Sequence, residues 1–460
     1  MLPLIAMAIA AAGLFVPGAC GDAGQESAVF DAGLPDHKAE RESDGALQAE
    51  GVPISDGRVV DGAPADWIPM PSTPPDCLVY VAPDSAKARP APSWTSCGEG
   101  CLQYLSSHPD GWTGLRLARG TARRGNRYLA YHINIGGGTD ATEIQVLRVN
   151  DNRVMFDGMA LSWLHRCSLS LRAVSADNVL LDVFYPLGDA GQIWRTLRYV
   201  VKPDEAIPHL VLDRSDTIVY DGYAVSDRLG VASYAREWAM QWHDLTLSSD
   251  VQVGWTSPDG RAIFGLQVVG TTVFASTALS QRSYATLVWN PTDGARPLVE
   301  YASIQQGGAC CVQTDGTDMV WLEGDGWHRE NADLFADLWL MTSPFVVRPN
   351  DLRPRKLHRA YQDFLLDGSV VVGGGYALTS ERHLSGGTGR LILTRLSDGA
   401  FISIPPPAGF DWVYPLYVDE TEFAAFQKPE GGPGSLAKPI SIVRQSLAAL
   451  GAFQPPDSGF

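Results

Sequence analysis

Beyond residue 77 the chain alternates polar turns with apolar runs of three or four residues. TDGTDMVWLEG at 314–324 shows the pattern: a turn-forming Asp-Gly pair, then Met319, Val320, Trp321 and Leu322, then another glycine. An apolar run this short, bounded by turn residues, predicts a buried β-strand. The same punctuation occurs in RGNRYLAYHI (124–133), SADNVLLDVF (175–184), SPDGRAIFGL (257–266), LDGSVVVGGG (366–375) and VDETEFAAFQ (418–427). Aligned on Gly125, Asp177, Asp259, Asp315, Asp367 and Asp419, the copies lie 52, 82, 56, 52 and 52 residues apart. SDTIVYDGYA at 215–224 splits the long interval at Asp216 into 39 and 43.

Most copies are followed by a second apolar run and a turn: EIQVLRVNDN, TLVWNPTDG, DLWLMTSPF, RLILTRLSDG and PISIVRQS. The unit reads strand, loop, strand, turn, strand over roughly 50 residues, the period of a propeller or solenoid repeat. One small twisted sheet leaves two apolar faces open to water, and packing against neighbours around a ring covers both. The expectation is an all-β fold, a β-propeller spanning 77–460, with seven blades, or six if the copy at Asp216 is spurious. Within 200–256, YAREWAMQWHDLTLSSDVQVGW fits the pattern poorly and reads as a decorated blade or a loop excursion. CLVYVA at 77–82 precedes the first repeat and is expected to complete the last blade and lock the ring.

At SPDGRAIFGL and TDGTDMVWLEG the chain resembles the TolB-type and peptidase-associated propellers, whose blades open with Ser-Pro-Asp-Gly or Asp-Gly and continue with a DLWLM-like strand. The resemblance covers about four of the seven copies. It implies the fold and is silent on activity.

Composition agrees with many short strands: 47 glycines, 31 prolines and 13 tryptophans stand beside only 19% charged residues. The formal net charge of -17 repels a polyanionic backbone, so nucleic acid is not expected as a partner. Much of that charge sits in a leader. Residues 21–76 hold twelve acidic and three basic residues, are poor in apolar groups and end in clustered proline, the composition of a flexible tether. Residues 1–20, MLPLIAMAIAAAGLFVPGAC, are an apolar run of signal-peptide length. Small residues before Cys20 resemble a bacterial lipoprotein signal, which implies acylation of Cys20, although Pro17 stands where a Leu-like residue is usual and no basic residue precedes the run. The leader, with WTSCGEGC before the ring, also resembles lipoproteins of unknown function from myxobacteria. Export follows, to the periplasm or to the outer membrane and cell surface, with the membrane reached through a lipid anchor only.

Setting Cys20 aside, six cysteines remain in a chain expected to meet an oxidising compartment. Cys97 and Cys101 are a candidate disulfide across GEG, while the adjacent Cys310 and Cys311 either bond to each other or find distant partners. No metal site is expected, because no histidine near CGEGC completes a zinc ligand set. No cofactor is expected either. Motifs for a serine-hydrolase elbow, zincin, Walker loop or EF-hand are missing, so there is no local catalytic signature. The glycines at 136–138, 373–375 and 385–390 read as inter-strand turns rather than anion cradles. Of nine histidines, His165 in WLHRC and His328 in GDGWHRENADLF sit where chemistry could be imagined, and His328 has Asp325, Arg329, Glu330 and Asp333 close by in sequence. Trp163, Trp289, Trp321 and Trp339 belong to strand-like runs and are expected to fill the space between blades. GDGWHRENADLF supplies the candidate interaction loop, Trp327, His328, Arg329 and Glu330, where a loop-borne aromatic has few packing duties. Two functional classes follow. The first is an envelope scaffold that binds a protein, peptide or glycan. The second is a hydrolase or lyase with a dispersed site in the axial funnel, which needs no local motif.

Overall fold

In the computed structural model the described residues are the thirty-one strands between Trp67 and Ser446, some of the tight turns joining them, and a tail to residue 456. Residues 1–66 and 457–460, the longer connections, and many side chains between 203 and 369 lie outside the description. The strands form seven sheets. Five consist of four consecutive strands, at 168–216, 222–256, 263–302, 309–359 and 364–404. A six-stranded sheet holds 115–160 with two earlier strands on its edge, and a five-stranded sheet holds 410–446 with two more. We number these sheets as blades 1 to 7 from residue 115, with strands A to D running from the inside out.

The A strands are Leu115–Arg123, Ser168–Val174, Gly222–Val225, Ile263–Val269, Ala309–Thr314, Phe364–Gly373 and Phe410–Val418. Each touches the next in this order, and the last touches the first. The ring is therefore closed and the fold is a seven-bladed propeller. Its cores lie between blades. Tyr128, Ala130, Ile144 and Val146 of blade 1 meet Leu169, Leu171, Val183 and Leu197 of blade 2, while Leu129, Tyr131 and Leu147 on the other face meet Tyr417, Phe426 and Ile442 of blade 7. A strand covered on both faces needs no polar alternation, which is why these runs read as continuously apolar.

The recurring Asp-turn has a local cause. In blade 5, Asp315 Oδ1 accepts the N–H groups of Thr317 and Asp318 at 2.8 and 2.9 Å. In blade 7, Asp419 Oδ1 accepts those of Thr421 and Glu422 at 2.8 and 3.0 Å. An aspartate at the first turn position thus satisfies two amides that would otherwise be orphaned as the chain reverses from strand A to strand B.

Several expectations are corrected by the ring. Leu78–Val81 does not complete the last blade; it pairs antiparallel with Arg153–Ala160 on the outer edge of blade 1. The closing strand is Cys101–Leu105, which pairs with Ser441–Ser446 and is backed by Trp94–Gly98. Residues 222–256 form a regular four-stranded blade rather than a decoration or an excursion. The punctuation also marked different blade positions: Gly125, Asp315 and Asp419 sit at A–B turns, Asp367 lies within an A strand and Asp216 ends a D strand, while Asp177 and Asp259 lie outside the described residues. Every one of the five second apolar runs is a C strand. Each unit has four strands rather than the three expected.

The N-terminal segment is a strap around the rim. Trp67–Pro69, within the stretch expected to be tether, pairs with Leu78–Val81. Tyr199 of blade 2 donates its hydroxyl hydrogen to the Pro71 carbonyl at 2.5 Å. Cys77 is disulfide-bonded to Cys167, just ahead of the A strand of blade 2. Asn152, in the C–D turn of blade 1, then donates to the Pro92 carbonyl and accepts from Trp94 Nε1 before the strap reaches blade 7. The A strands of the closing blades also meet directly. Tyr414 donates to the Ala118 carbonyl at 3.0 Å and accepts from its N–H at 3.3 Å.

Candidate interaction face

Antiparallel blades put A–B and C–D connections on one face of the ring and B–C and D–A connections on the other. All seven A–B connections are two to four residues long. The opposite face receives 325–335 and 430–440, eleven residues each, and 106–114, nine residues. One long connection, 343–354, belongs to the A–B side. Nine of the thirteen tryptophans lie in strands, and the other four, Trp112, Trp163, Trp238 and Trp327, fall in the sequence between B and C or D and A strands, outside the described residues.

The A–B face is stitched at the blade 7 to blade 1 seam. Arg127 bonds Asp419 and Thr421, and Glu422 takes both guanidinium nitrogens of Arg444 at 3.0 Å and the Tyr417 hydroxyl at 2.5 Å. Arg444 in turn stacks over Trp94, 5.0 Å from the ring centre. Burial works against ionisation of Asp419, but the Arg127 guanidinium and the N–H groups of Thr421 and Glu422 outweigh it and hold the carboxyl below its usual 3.8. A depressed carboxyl contributes stability above its unfolded pKa and loses it as pH falls from about 3.8 through the lower folded value. The urea midpoint of the native chain is thus expected to exceed that of Asp419→Asn at pH 6, and the gap to narrow as pH falls below 3.8. A gap that persisted at low pH would assign the effect to packing.

On the B–C face the polar groups are buried between blades. Glu381 of blade 6 accepts Arg390 Nε at 2.5 Å and faces His358 Nε2 of blade 5 at 2.9 Å. Both Glu381 and His358 are 1% exposed. With Nε2–H directed at the carboxylate, His358 Nδ1 is an acceptor, and it has no hydrogen-bond partner among the described residues. Its strand register explains the location: His358 pairs with Leu338 just beyond 325–335, and Glu381 pairs with Arg390 across the connection that includes 384–388. Beside them, Gly389 N–H donates to Asp411 Oδ1 at 2.8 Å. The amide of Gly389, the one described glycine of 385–390, is therefore occupied by a carboxylate of the protein itself. At 373–375 the glycines serve packing and turning: a Cβ on Gly373 would stand 2.3 Å from the Val418 carbonyl oxygen, and Gly374 and Gly375 have φ of +59° and +80°.

The candidate loop residues Trp327, His328, Arg329 and Glu330 lie outside the described residues. They belong to the connection between Asp318–Gly324 and Ala336–Thr342, strands B and C of blade 5. Cys20, His165, Trp163 and Gly136–Gly138 also lie outside, as do the Cys310 and Cys311 side chains. Trp289 and Trp321 are buried in strands, at 2% and 0% exposure. Cys97 and Cys101 are bonded, with Cα atoms 5.1 Å apart. Among the described residues no three histidine, cysteine or acidic side chains cluster as metal ligands. Sequence reasoning missed the His358, Glu381 and Arg390 row. No spacing signal exists for it, because the histidine comes from a different blade.

No family model and no curated protein sequence matches the chain. Solved propellers do match in structure. One of two prolyl endopeptidases, described for the role of inter-domain dynamics in catalysis and specificity, aligns with a TM-score of 0.52 at 12% identity. That match covers 73% of this chain and 49% of the enzyme, so the chain spans about half the enzyme's length. The β-propeller domain of the Trilobed protease from Pyrococcus furiosus aligns with a TM-score of 0.42 at 8% identity, over 63% of this chain and 84% of that one. The Cps50 (Swd1) β-propeller domain from Myceliophteria thermophila aligns at 0.43 and 10%, over 72% and 100%. At such identities the likeness shows the fold alone.

Proposed function

We propose that the protein is a binding scaffold, exported and lipid-anchored through Cys20, that presents its B–C face to a protein, peptide or glycan of the cell envelope. What supports this reading is chain order: all four tryptophans outside the strands fall in segments that join B to C or D to A strands. Tryptophan is the side chain most enriched at binding hot spots, and loops on a rigid ring are the usual place for contacts. On the A–B side the A–B turns are short, and Arg127, Asp419, Glu422 and Arg444 are paired with one another at the seam.

The test is site-specific photo-cross-linking in native cells, from position 327 and from position 398 in the exposed C–D turn of blade 6, followed by identification of the adduct. Adducts are expected from 327 and not from 398. Trp327→Ala is expected to weaken capture by purified protein about tenfold or more. Fractionating the same cells with and without Cys20→Ser reads the anchor. Adducts from 398 alone would reverse the choice of face.

A hydrolase or lyase is the second reading. The observation on its side is the row of His358, Glu381 and Arg390 between blades 5 and 6, of which Arg390 alone is open to solvent.

A further inference from the structure

The two disulfides differ in what can reach them. Cys77 and Cys167 are 0% and 1% exposed, whereas Cys97 is exposed and Cys101 is 9% exposed. Cys97 lies on Trp94–Gly98, the outermost strand of blade 7, and every residue from Thr95 to Gly100 is exposed. Thiol exchange requires a thiolate to approach a sulfur directly, so access selects which disulfide reacts.

The tip of this hairpin is also the seat of the C-terminus. Ser446 N–H donates to the Gly100 carbonyl at 2.9 Å, and Gln445 Nε2 donates to that of Glu99 at 3.1 Å. Gly100 has φ of +62°, and a Cβ there would stand 2.7 Å from that of Ala449, so only glycine lets the turn Leu447–Ala449 lie against the tip. From that turn the chain crosses to blade 6. Gln454 exchanges two backbone hydrogen bonds with Phe401, at 3.0 and 2.8 Å, and Phe453 lies against Tyr376 and under the Arg395 guanidinium. Hairpin, turn and tail form one continuous clasp over the outer edges of blades 7 and 6.

We propose that Cys97–Cys101 is a thiol-exchange site, and that its redox state sets how firmly the C-terminal tail is held on blade 6. A thiolate attacks Cys97 Sγ, the exposed sulfur. A mixed disulfide forms there as the Cys97–Cys101 bond breaks, and the Cys101 thiolate leaves and takes a proton from water. A second thiolate attacks the external sulfur of the mixed disulfide and releases Cys97, which is protonated in turn. The net change is two external thiols oxidised to one disulfide and one protein disulfide reduced to two thiols. Once open, Gly98, Glu99 and Gly100 regain the backbone freedom that the bridge removed. The tip then no longer presents a preformed surface to Ser446 and Ala449, and the tail is released from the Phe401–Ile404 edge.

The full-length oxidised protein is equilibrated in glutathione buffers of stepped potential, and in parallel with a protein dithiol reductant. It is then alkylated, mapped by mass spectrometry and followed by amide hydrogen exchange. Cys97 and Cys101 are expected to become alkylated while Cys77 and Cys167 remain bonded. Exchange at the Phe401 and Gln454 amides is expected to rise at least tenfold, reversibly, with blade 1 unchanged. Reaction with glutathione assigns a small thiol, and reaction only with the dithiol protein assigns a protein reductant. Cys97 and Cys101 resisting both until the ring unfolds, or reacting with no change at Phe401 and Gln454, overturns the proposal. The Cys97→Ser, Cys101→Ser double variant should show the fast exchange constitutively.

Discussion

Replacing Cys77 and Cys167 together by alanine is expected to lower the stability of the ring by about 4–5 kcal/mol, the cost of releasing a loop this long in the unfolded chain. The two cysteines are 90 residues apart in sequence, and their Cα atoms are 5.5 Å apart. Between them lie the rest of the strap, the closing strand of blade 7 and the four strands of blade 1 from 115 to 160, so the bridge removes the freedom of a long loop from the unfolded chain. Urea unfolding of the oxidised variant and native chains gives the number. A loss below about 1 kcal/mol would mean that strand pairing at Leu78–Val81 and the Tyr199 bond to Pro71 hold the strap unaided. The Cys97–Cys101 bridge closes only a four-residue separation, so the same chain-entropy argument assigns it a smaller effect, about 2 kcal/mol.

Asp182→Ala is expected to cost about 3–5 kcal/mol, the range for removing one partner of a buried ion pair. Arg198 Nε and Nη2 donate to the two Asp182 oxygens at 2.7 and 3.1 Å, and the side chains are 4% and 0% exposed. They face each other in register across strands B and C of blade 2. Removing the carboxylate strands a guanidinium that never loses its proton in a protein interior. The loss comes from the charge left behind rather than from the pair's net attraction. The double variant Asp182→Leu, Arg198→Met is therefore expected to recover most of it, since an apolar pair of similar volume carries no desolvation cost. Chemical denaturation of the single and double variants decides the matter. A double variant as unstable as the single would show that the pair does more than satisfy itself.

The contrast between these residues shows what was legible. The TDGTDMVWLEG and VDETEFAAFQ segments announce themselves because Asp315 and Asp419 bond amides two and three residues ahead, and the strands that follow are apolar without interruption. RLILTRLSDG and PISIVRQS are equally plain, as C strands covered on both faces. Asp182 is different: it stands in the middle of VLLDVF as one polar residue in an apolar strand, and nothing nearby in the sequence names Arg198 as its partner. The same holds for Glu381 and His358, which come from adjacent blades.

Strand existence, turn chemistry and the repeat of about 50 residues are local properties, decided by the period of apolar positions and by a few turn residues, and the sequence by itself determined them, and with them the all-β ring. Which strand closes that ring was decided only in three dimensions. Leu78–Val81 and Cys101–Leu105 are both short, partly apolar strands ahead of the first repeat. What separates them is that Gln103 reaches Ser441, 338 residues away, while Cys77 is bonded to Cys167 on the other side of blade 1. Pairings over such separations depend on where the finished blades bring the two ends of the chain, and no window of sequence contains that distance.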